Sequence, residues 1–147
     1  MLSNKMSNLY KTIIMEHYKN PRNKGNLEQD GYISCHLKNP TCGDDIRVAV
    51  KLVDEVIADI RHEGIGCSIC CSSASVMSCV LKNKCLADMD LIVNNFYELV
   101  QGNPIEKNIN MGDAVAYSGV SMFPARIKCA TIPWKALEQA VLESKEE

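Results

Sequence analysis

Along the chain, hydrophobic positions follow first a helical period and then a strand period. Leu9, Tyr10, Ile13, Ile14, His17 and Tyr18 recur at i, i+3, i+4, the spacing of one helix face. Ser7 or Asn8 is placed to cap that helix and Pro21 to stop it, and the basic connection HYKNPRNKG follows. From Tyr32 the period falls to two. Ile33, Cys35 and Leu37 alternate with Tyr32, Ser34 and His36. After NPTCGD, the run DIRVAVKLV sets Ile46, Val48, Val50 and Leu52 against Arg47, Ala49 and Lys51. Asp54 and Glu55 then turn the chain into VIADIRHE, where Val56, Ala58 and Ile60 share a face opposite Ile57, Asp59 and Arg61. Three strands with such short connections predict an antiparallel meander.

Beyond Gly66 the pattern is helical. Cys70, Ala74, Met77 and Leu81 mark the apolar face of a helix over 68–82, with Ser72, Ser75, Cys79 and Lys82 as its polar stripe. A second helix runs from about Ala87 through Met89, Ile92, Phe96 and Leu99, with Gly102 closing it. A short turn or helix is expected around 111–117. The last helix is expected to begin near Thr131, with Pro133 in its first turn and Trp134, Leu137 and Val141 on one face, before the acidic end ESKEE. Strands first and helices after them predict an α+β fold. The expected form is a single domain, 1–147, with a small three-stranded antiparallel sheet packed against several helices.

Composition narrows the chemistry. Eight of the 147 residues are cysteine, below the roughly 8–10% of a disulfide scaffold. The opening MLSNKMSNLYKT lacks the apolar core of a secretory signal, and no run approaches the roughly 18 apolar residues of a membrane span. The expectation is a cytoplasmic protein, in which thiols serve as metal ligands, nucleophiles or small core residues. Net charge is −2 and the pI about 5.9, so no global field draws in nucleic acid or an anionic membrane.

Three cysteines fall at element junctions: Cys42 in NPTCGDD, Cys67 in EGIGCS and Cys129 in RIKCATIP. Gly43, Gly64 and Gly66 allow tight turns there. A thiol just ahead of a helix faces unpaired N–H groups, which favour the thiolate, and Cys67 and Cys129 both qualify on the expected helix starts. Asp44 lies two residues after Cys42, so three thiolates and a carboxylate could complete a four-coordinate Zn²⁺ site. Such a site has a formal charge of −2 and calls for cations around it, for which Arg126 and Lys128 are the candidates. The gaps between these cysteines match no ordinary zinc ribbon or finger, and small buried thiols are the alternative reading.

NPTCGDDIRVAV, GIGCSI followed by ASVM, FPARIKCATIPWKAL and the early HYKNPRNKG together resemble the iron–sulfur assembly family of IscU and NifU N-terminal domains, over essentially the whole chain. The resemblance implies a metal site of Cys42, Asp44, Cys67 and Cys129 on an α+β fold. IscU-type members carry a histidine before the last cysteine and an LPPVK motif upstream. Here Lys128 precedes Cys129 and the upstream segment is FPARIK. With a long stretch between Cys67 and Cys129, inserted at about 87–110, the chain looks most like the SufU-type branch. That branch implies bound zinc and a sulfur acceptor, rather than a free-standing enzyme. Its partner would be a SufS-type pyridoxal-phosphate cysteine desulfurase, with Cys42 taking the persulfide sulfur for a downstream scaffold or apo-protein recipients. The alternative is a scaffold holding a labile 2Fe-2S cluster, or iron, on the same four residues. A purely structural zinc site would be closed and all-cysteine, without Asp44.

The other candidates have simpler readings. CSICC departs from the family pattern at Cys70 and Cys71, which read as core, with an extra ligand or a redox relay with Cys67 as the alternative. Cys35 reads as core and Cys79 and Cys85 as incidental, while His17, His36 and His62 read as structural. Met77 and Met89 read as core filler. Lys19, Arg22 and Lys24 form either a solvated turn or a contact for an acidic patch on the desulfurase.

Overall fold

The computed structural model describes the backbone of residues 2–146 and the side chains of residues 8–145. Helix α1 spans Leu2–Lys19. Strands β1 (Ile33–Asn39), β2 (Asp44–Val53) and β3 (Val56–Ile65) follow, then α2 (Ser68–Leu81) and α3 (Leu86–Val100). A 3₁₀ segment (Gly112–Met122) leads into α4 (Pro124–Glu146). The strands form the expected antiparallel meander in the order β1-β2-β3. The α+β class with a three-stranded sheet is therefore correct.

Four local expectations need correction. First, α1 begins at Leu2, so Ser7 and Asn8 lie inside it, and the Thr12 hydroxyl donates to the Asn8 carbonyl one turn back. No glycine or proline interrupts the preceding residues, so nothing stops the helix at Asn8. The side chain of Ser7 lies outside the described residues.

Second, β3 does not keep a simple alternation. Asp54 and Glu55, both at positive φ, make the two-residue hairpin turn. The register then moves from Lys51↔Asp59 to Leu52↔Ile57, leaving Ala58 as an extra residue. This bulge turns both Ile57 and Ile60 into the core, while Val56 and Ala58 stay half-buried.

Third, Ser72 and Ser75 of the expected polar stripe do not face water. Ser72, Ser73, Ser75 and Ser78 are fully buried, and Cys79 is the exposed residue of the helix. Each hydroxyl has partners from other elements. Ser72 bonds the Tyr117 hydroxyl at 2.6 Å. Ser73 donates to the Ala130 carbonyl at 2.6 Å and accepts the Trp134 indole N–H at 2.9 Å. Ser75 accepts the Arg22 N–H at 2.8 Å and meets His17 Nδ1 at 2.8 Å, while Ser78 accepts from Asn23. A helix with polar partners on several sides can be enclosed all round. Around it α1, α4, β3 and the 3₁₀ segment pack, and Trp134 stacks on Phe96 with ring centroids 4.0 Å apart.

Fourth, α4 starts at Pro124 and runs through Glu146, so residues 143–146 of the ESKEE end are helical, Glu147 lying outside the described residues, and Pro133 lies inside the helix. Proline suits the first helical position, where its missing N–H is no loss. Cys129 therefore lies in the second turn of α4, not ahead of its start. Because Pro133 has no N–H, it offers the Cys129 carbonyl no hydrogen bond. None of the described helices is long and apolar enough to cross a membrane.

Candidate metal centre

Asn39 and Asp44 are the last pair of the β1–β2 ladder, and the chain between them reverses within four residues. Pro40 fixes one φ of the turn, and the Cys42 N–H donates to the Asn39 carbonyl at 3.2 Å. Gly43, at φ +72°, takes the left-handed conformation that returns the chain to β2. Cys42 and Asp44 thus arrive at the same end of the sheet.

The β3–α2 junction reaches this end from the other strand. Gly66 approaches Asp44 so closely that a Cβ there would sit 2.5 Å from Asp44 Oδ1. Cys67 follows as the N-cap residue of α2, and its N–H donates to Asp44 Oδ1 at 3.1 Å. Cys67 thus keeps the helix-start position expected of it, and Cys129 does not.

The sulfur atoms of Cys42 and Cys129 and a carboxylate oxygen of Asp44 lie within 4.8 Å of one another. Cys67 stands outside that set, but it is close enough for its thiol to act electrostatically on Cys129. Asp44 and Cys129 are buried, whereas Cys42 is partly exposed. Burial first, then the neighbouring Asp44, Cys42 and Cys67 side chains, push the Cys129 thiol above the ordinary thiol range. The Cys42 and Cys129 thiols both donate to the Ala125 carbonyl, at 3.7 and 3.8 Å.

Of the two expected cations, Arg126 lies three residues before Cys129 on the same helix face. Its guanidinium sits in the field of the Cys129, Cys67 and Cys42 thiols, Cys129 foremost, which raises its pKa. Lys128 is exposed and adjacent to Cys129 in sequence, which places it about 100° around the helix.

The donor chemistry fits a thiophilic divalent ion. A tetrahedron with zinc–sulfur bonds of about 2.3 Å has edges of about 3.8 Å, which three donors within 4.8 Å of one another accommodate, and a third thiol adjoins them. Sequence reasoning missed one residue at this centre. Asn39 is 7% exposed, and its amide nitrogen donates to Asp44 Oδ2 at 3.3 Å and to Cys129 Sγ at 3.9 Å. The signal was available: Asn39 continues the inward alternation of Ile33, Cys35 and Leu37, a polar residue where the register asks for an apolar one.

Residues 9–142 match the family model of the NifU-like N terminal domain. The chain belongs to this family. This NifU-like chain is 46% identical over 142 residues to the zinc-dependent sulfurtransferase SufU of Bacillus subtilis, covering 97% of this chain and 94% of that one. It is 38% identical over 146 residues to the iron–sulfur cluster assembly scaffold protein IscU of Streptococcus pyogenes, covering 98% and 89%. A crystal structure of an iron–sulfur cluster assembly scaffold protein for the SUF system from Fervidobacterium islandicum matches with a TM-score of 0.74. It is 27% identical, over 87% of this chain and 93% of that one. The chain is an iron–sulfur cluster assembly protein of the SufU and IscU kind.

Within this NifU-like fold the remaining thiols separate. Cys70 is fully buried in the core, and burial raises its pKa. Cys71 is half-buried beside Cys67. It donates to the Gly66 carbonyl at 3.7 Å and lines a cleft of about 220 Å³ with Tyr18, Lys24 and His62. Cys35 packs half-buried against the core, Cys85 is the N-cap residue of α3, and Cys79 is exposed. His17 bridges Ser75 and Asp113, at 2.8 and 2.9 Å. This Ser–His–Asp chain is structural, because Ser75 is fully buried and already accepts the Arg22 N–H. In the basic connection, Arg22 pairs with Glu16 at 3.2 Å, while Lys19 and Lys24 are exposed.

Proposed function

We propose that this protein is a zinc-dependent sulfur acceptor in iron–sulfur cluster assembly. It takes persulfide sulfur through Cys42 from a SufS-type pyridoxal-phosphate cysteine desulfurase and passes it to a downstream scaffold or apo-protein. The observation that carries the reading is the asymmetry of the donor set. Cys42 is partly exposed on a turn, while Asp44 and Cys129 are buried beneath it.

Cys42, Asp44, Cys67 and Cys129 would hold the metal. Bound zinc would keep these thiols ionised near neutral pH. Once free, the Cys42 thiolate attacks the outer sulfur of the desulfurase persulfide. A new S–S bond forms on Cys42, the old one breaks, and the desulfurase thiolate leaves, with no net oxidation. Asp44, fixed by the Cys67 N–H and the Asn39 amide, stays behind with Cys129 and Cys67. Arg126 faces the anionic sulfurs from the solvent side, and Asn39 faces them from the sheet.

The test combines anaerobic purification, metal analysis, a desulfurase assay with cysteine, and mass spectrometry of each cysteine. Near-stoichiometric zinc with persulfide on Cys42, lost in Cys42→Ser, is the expected result. Persulfidation and desulfurase stimulation undiminished in Cys42→Ser would refute the acceptor role. Iron, acid-labile sulfide and a visible chromophore, without any effect on desulfurase turnover, would favour a 2Fe-2S scaffold on the same residues.

A further inference from the structure

We infer that Asn39 is a positioning residue of the metal centre, holding Asp44 and Cys129 as the fixed ligands and leaving Cys42 as the movable one. The inference rests on the reading of Cys42, Asp44, Cys67 and Cys129 as ligands.

Three of those four residues are tied to Asn39. Its side-chain amide nitrogen donates to Asp44 Oδ2 at 3.3 Å and to Cys129 Sγ at 3.9 Å, and its backbone carbonyl accepts the Cys42 N–H at 3.2 Å. The first two contacts hold ligand side chains. The third holds only the Cys42 backbone, so the Cys42 side chain can swing away while the turn stays folded. Asp44 is clamped from both sides, because its other oxygen accepts the Cys67 N–H at 3.1 Å. A buried amide with no partners would be costly at this position, so its two acceptors also stabilise the Asn39 rotamer.

Charge separates Asn39 from Arg126. An anionic centre gains from donors, and Arg126 supplies a full charge from an exposed position. Asn39 supplies a neutral N–H from within the protein, on the inward face of β1. It can polarise a carboxylate and a thiolate without competing for them as a counter-ion, and it remains in place when a partner covers the solvent side. Outer partners of this kind orient ligands, and losing one typically lowers metal affinity by about 10- to 100-fold.

The test uses the full-length protein. Asn39→Leu and Asn39→Ala remove the donor, and Asn39→Thr returns a hydroxyl donor on a residue that suits a strand. Zinc affinity is measured against a chromophoric chelator, ligand geometry by the absorption spectrum of the cobalt(II)-substituted protein, and folding by the urea midpoint without metal. Asn39→Leu, or Asn39→Ala should the leucine variant not fold, is expected to weaken zinc binding by about 10- to 100-fold and to alter the cobalt spectrum. Asn39→Thr is expected to recover most of the affinity. Adding Asn39→Leu to Asp44→Ala should cost much less than adding it to the wild type, because its stronger contact is already gone.

Zinc affinity within about twofold of wild type in the donor-less variants would overturn the inference while leaving the metal site standing. An unaltered cobalt spectrum, with affinity falling only in step with the urea midpoint and no recovery in Asn39→Thr, would assign Asn39 a purely structural role and overturn it as well. A wild-type protein that took up no zinc or cobalt would remove the metal site itself, and the inference with it.

Discussion

Cys70 and Cys71 are neighbours in sequence, yet one turns into the core and the other toward the cleft beside Cys67. The CSICC cluster is thus two residues with different surroundings. Alkylation of the metal-free protein should modify exposed Cys79 first and Cys70 last, as read by mass spectrometry of timed samples. Periodicity alone placed Cys70 correctly. It misplaced Cys71, read with Cys70 as core, because a half-buried residue one turn from an N-cap belongs to no stripe. Gly66 makes a sharper case. In Gly66→Ala the added Cβ would meet Asp44 Oδ1 at 2.5 Å, so the carboxylate must move. The expected outcome is at least tenfold weaker zinc binding, of the order seen when a ligand loses its support, with a folded far-UV spectrum retained. His62 is buried, with Nε2 donating to the Arg22 carbonyl at 2.7 Å, and burial holds its pKa below the ordinary 6.5. The unfolded chain therefore binds a proton before the native one does. This contribution to stability is intact above pH 6.5 and is lost as pH falls toward the lower native pKa. Urea midpoints at successive pH values should show that decline, and His62→Gln should flatten it.

Among the elements, strands were more legible than helix ends. The meander followed from alternation and a two-residue turn, and the one failure, the facing of β3, came from the unpaired Ala58. A bulge leaves no mark on the sequence beyond two isoleucines three residues apart. The start of α4 was misplaced because two prolines, Pro124 and Pro133, each fit a first turn, and the polar residues Arg126 and Lys128 blur the apolar stripe between them. Ser72 and Ser75 of α2 were misread for another reason: the partners of the buried α2 serines come from other elements and are invisible to any local pattern. Ser73 satisfies both the Ala130 carbonyl and the Trp134 indole. Ser73→Ala leaves the indole N–H unpaired in the core and should cost about 1–3 kcal/mol, measurable as a lower urea midpoint with unchanged zinc affinity.

At the scale of the molecule, the order of strands and helices fixed the α+β class. The glycine-flanked cysteines drew attention to the end of the sheet where the β1–β2 turn, the start of α2 and α4 meet. Asn39 was not legible there, because its role depends on Asp44 and Cys129 lying over the inward face of β1. An ion held by all four ligands would tie those three segments together. Stripping the metal with a chelator should lower the thermal midpoint, as calorimetry with and without zinc would show.

That tie also bears on the time course of folding. Cys42, Cys67 and Cys129 are far apart in the chain, and Cys129 reaches the others only once α4 has docked on β1 and β2. Contacts between such distant segments form late in folding. Zinc should therefore leave the refolding rate almost unchanged and slow the unfolding rate instead, so that the metal acts as a latch on a finished fold.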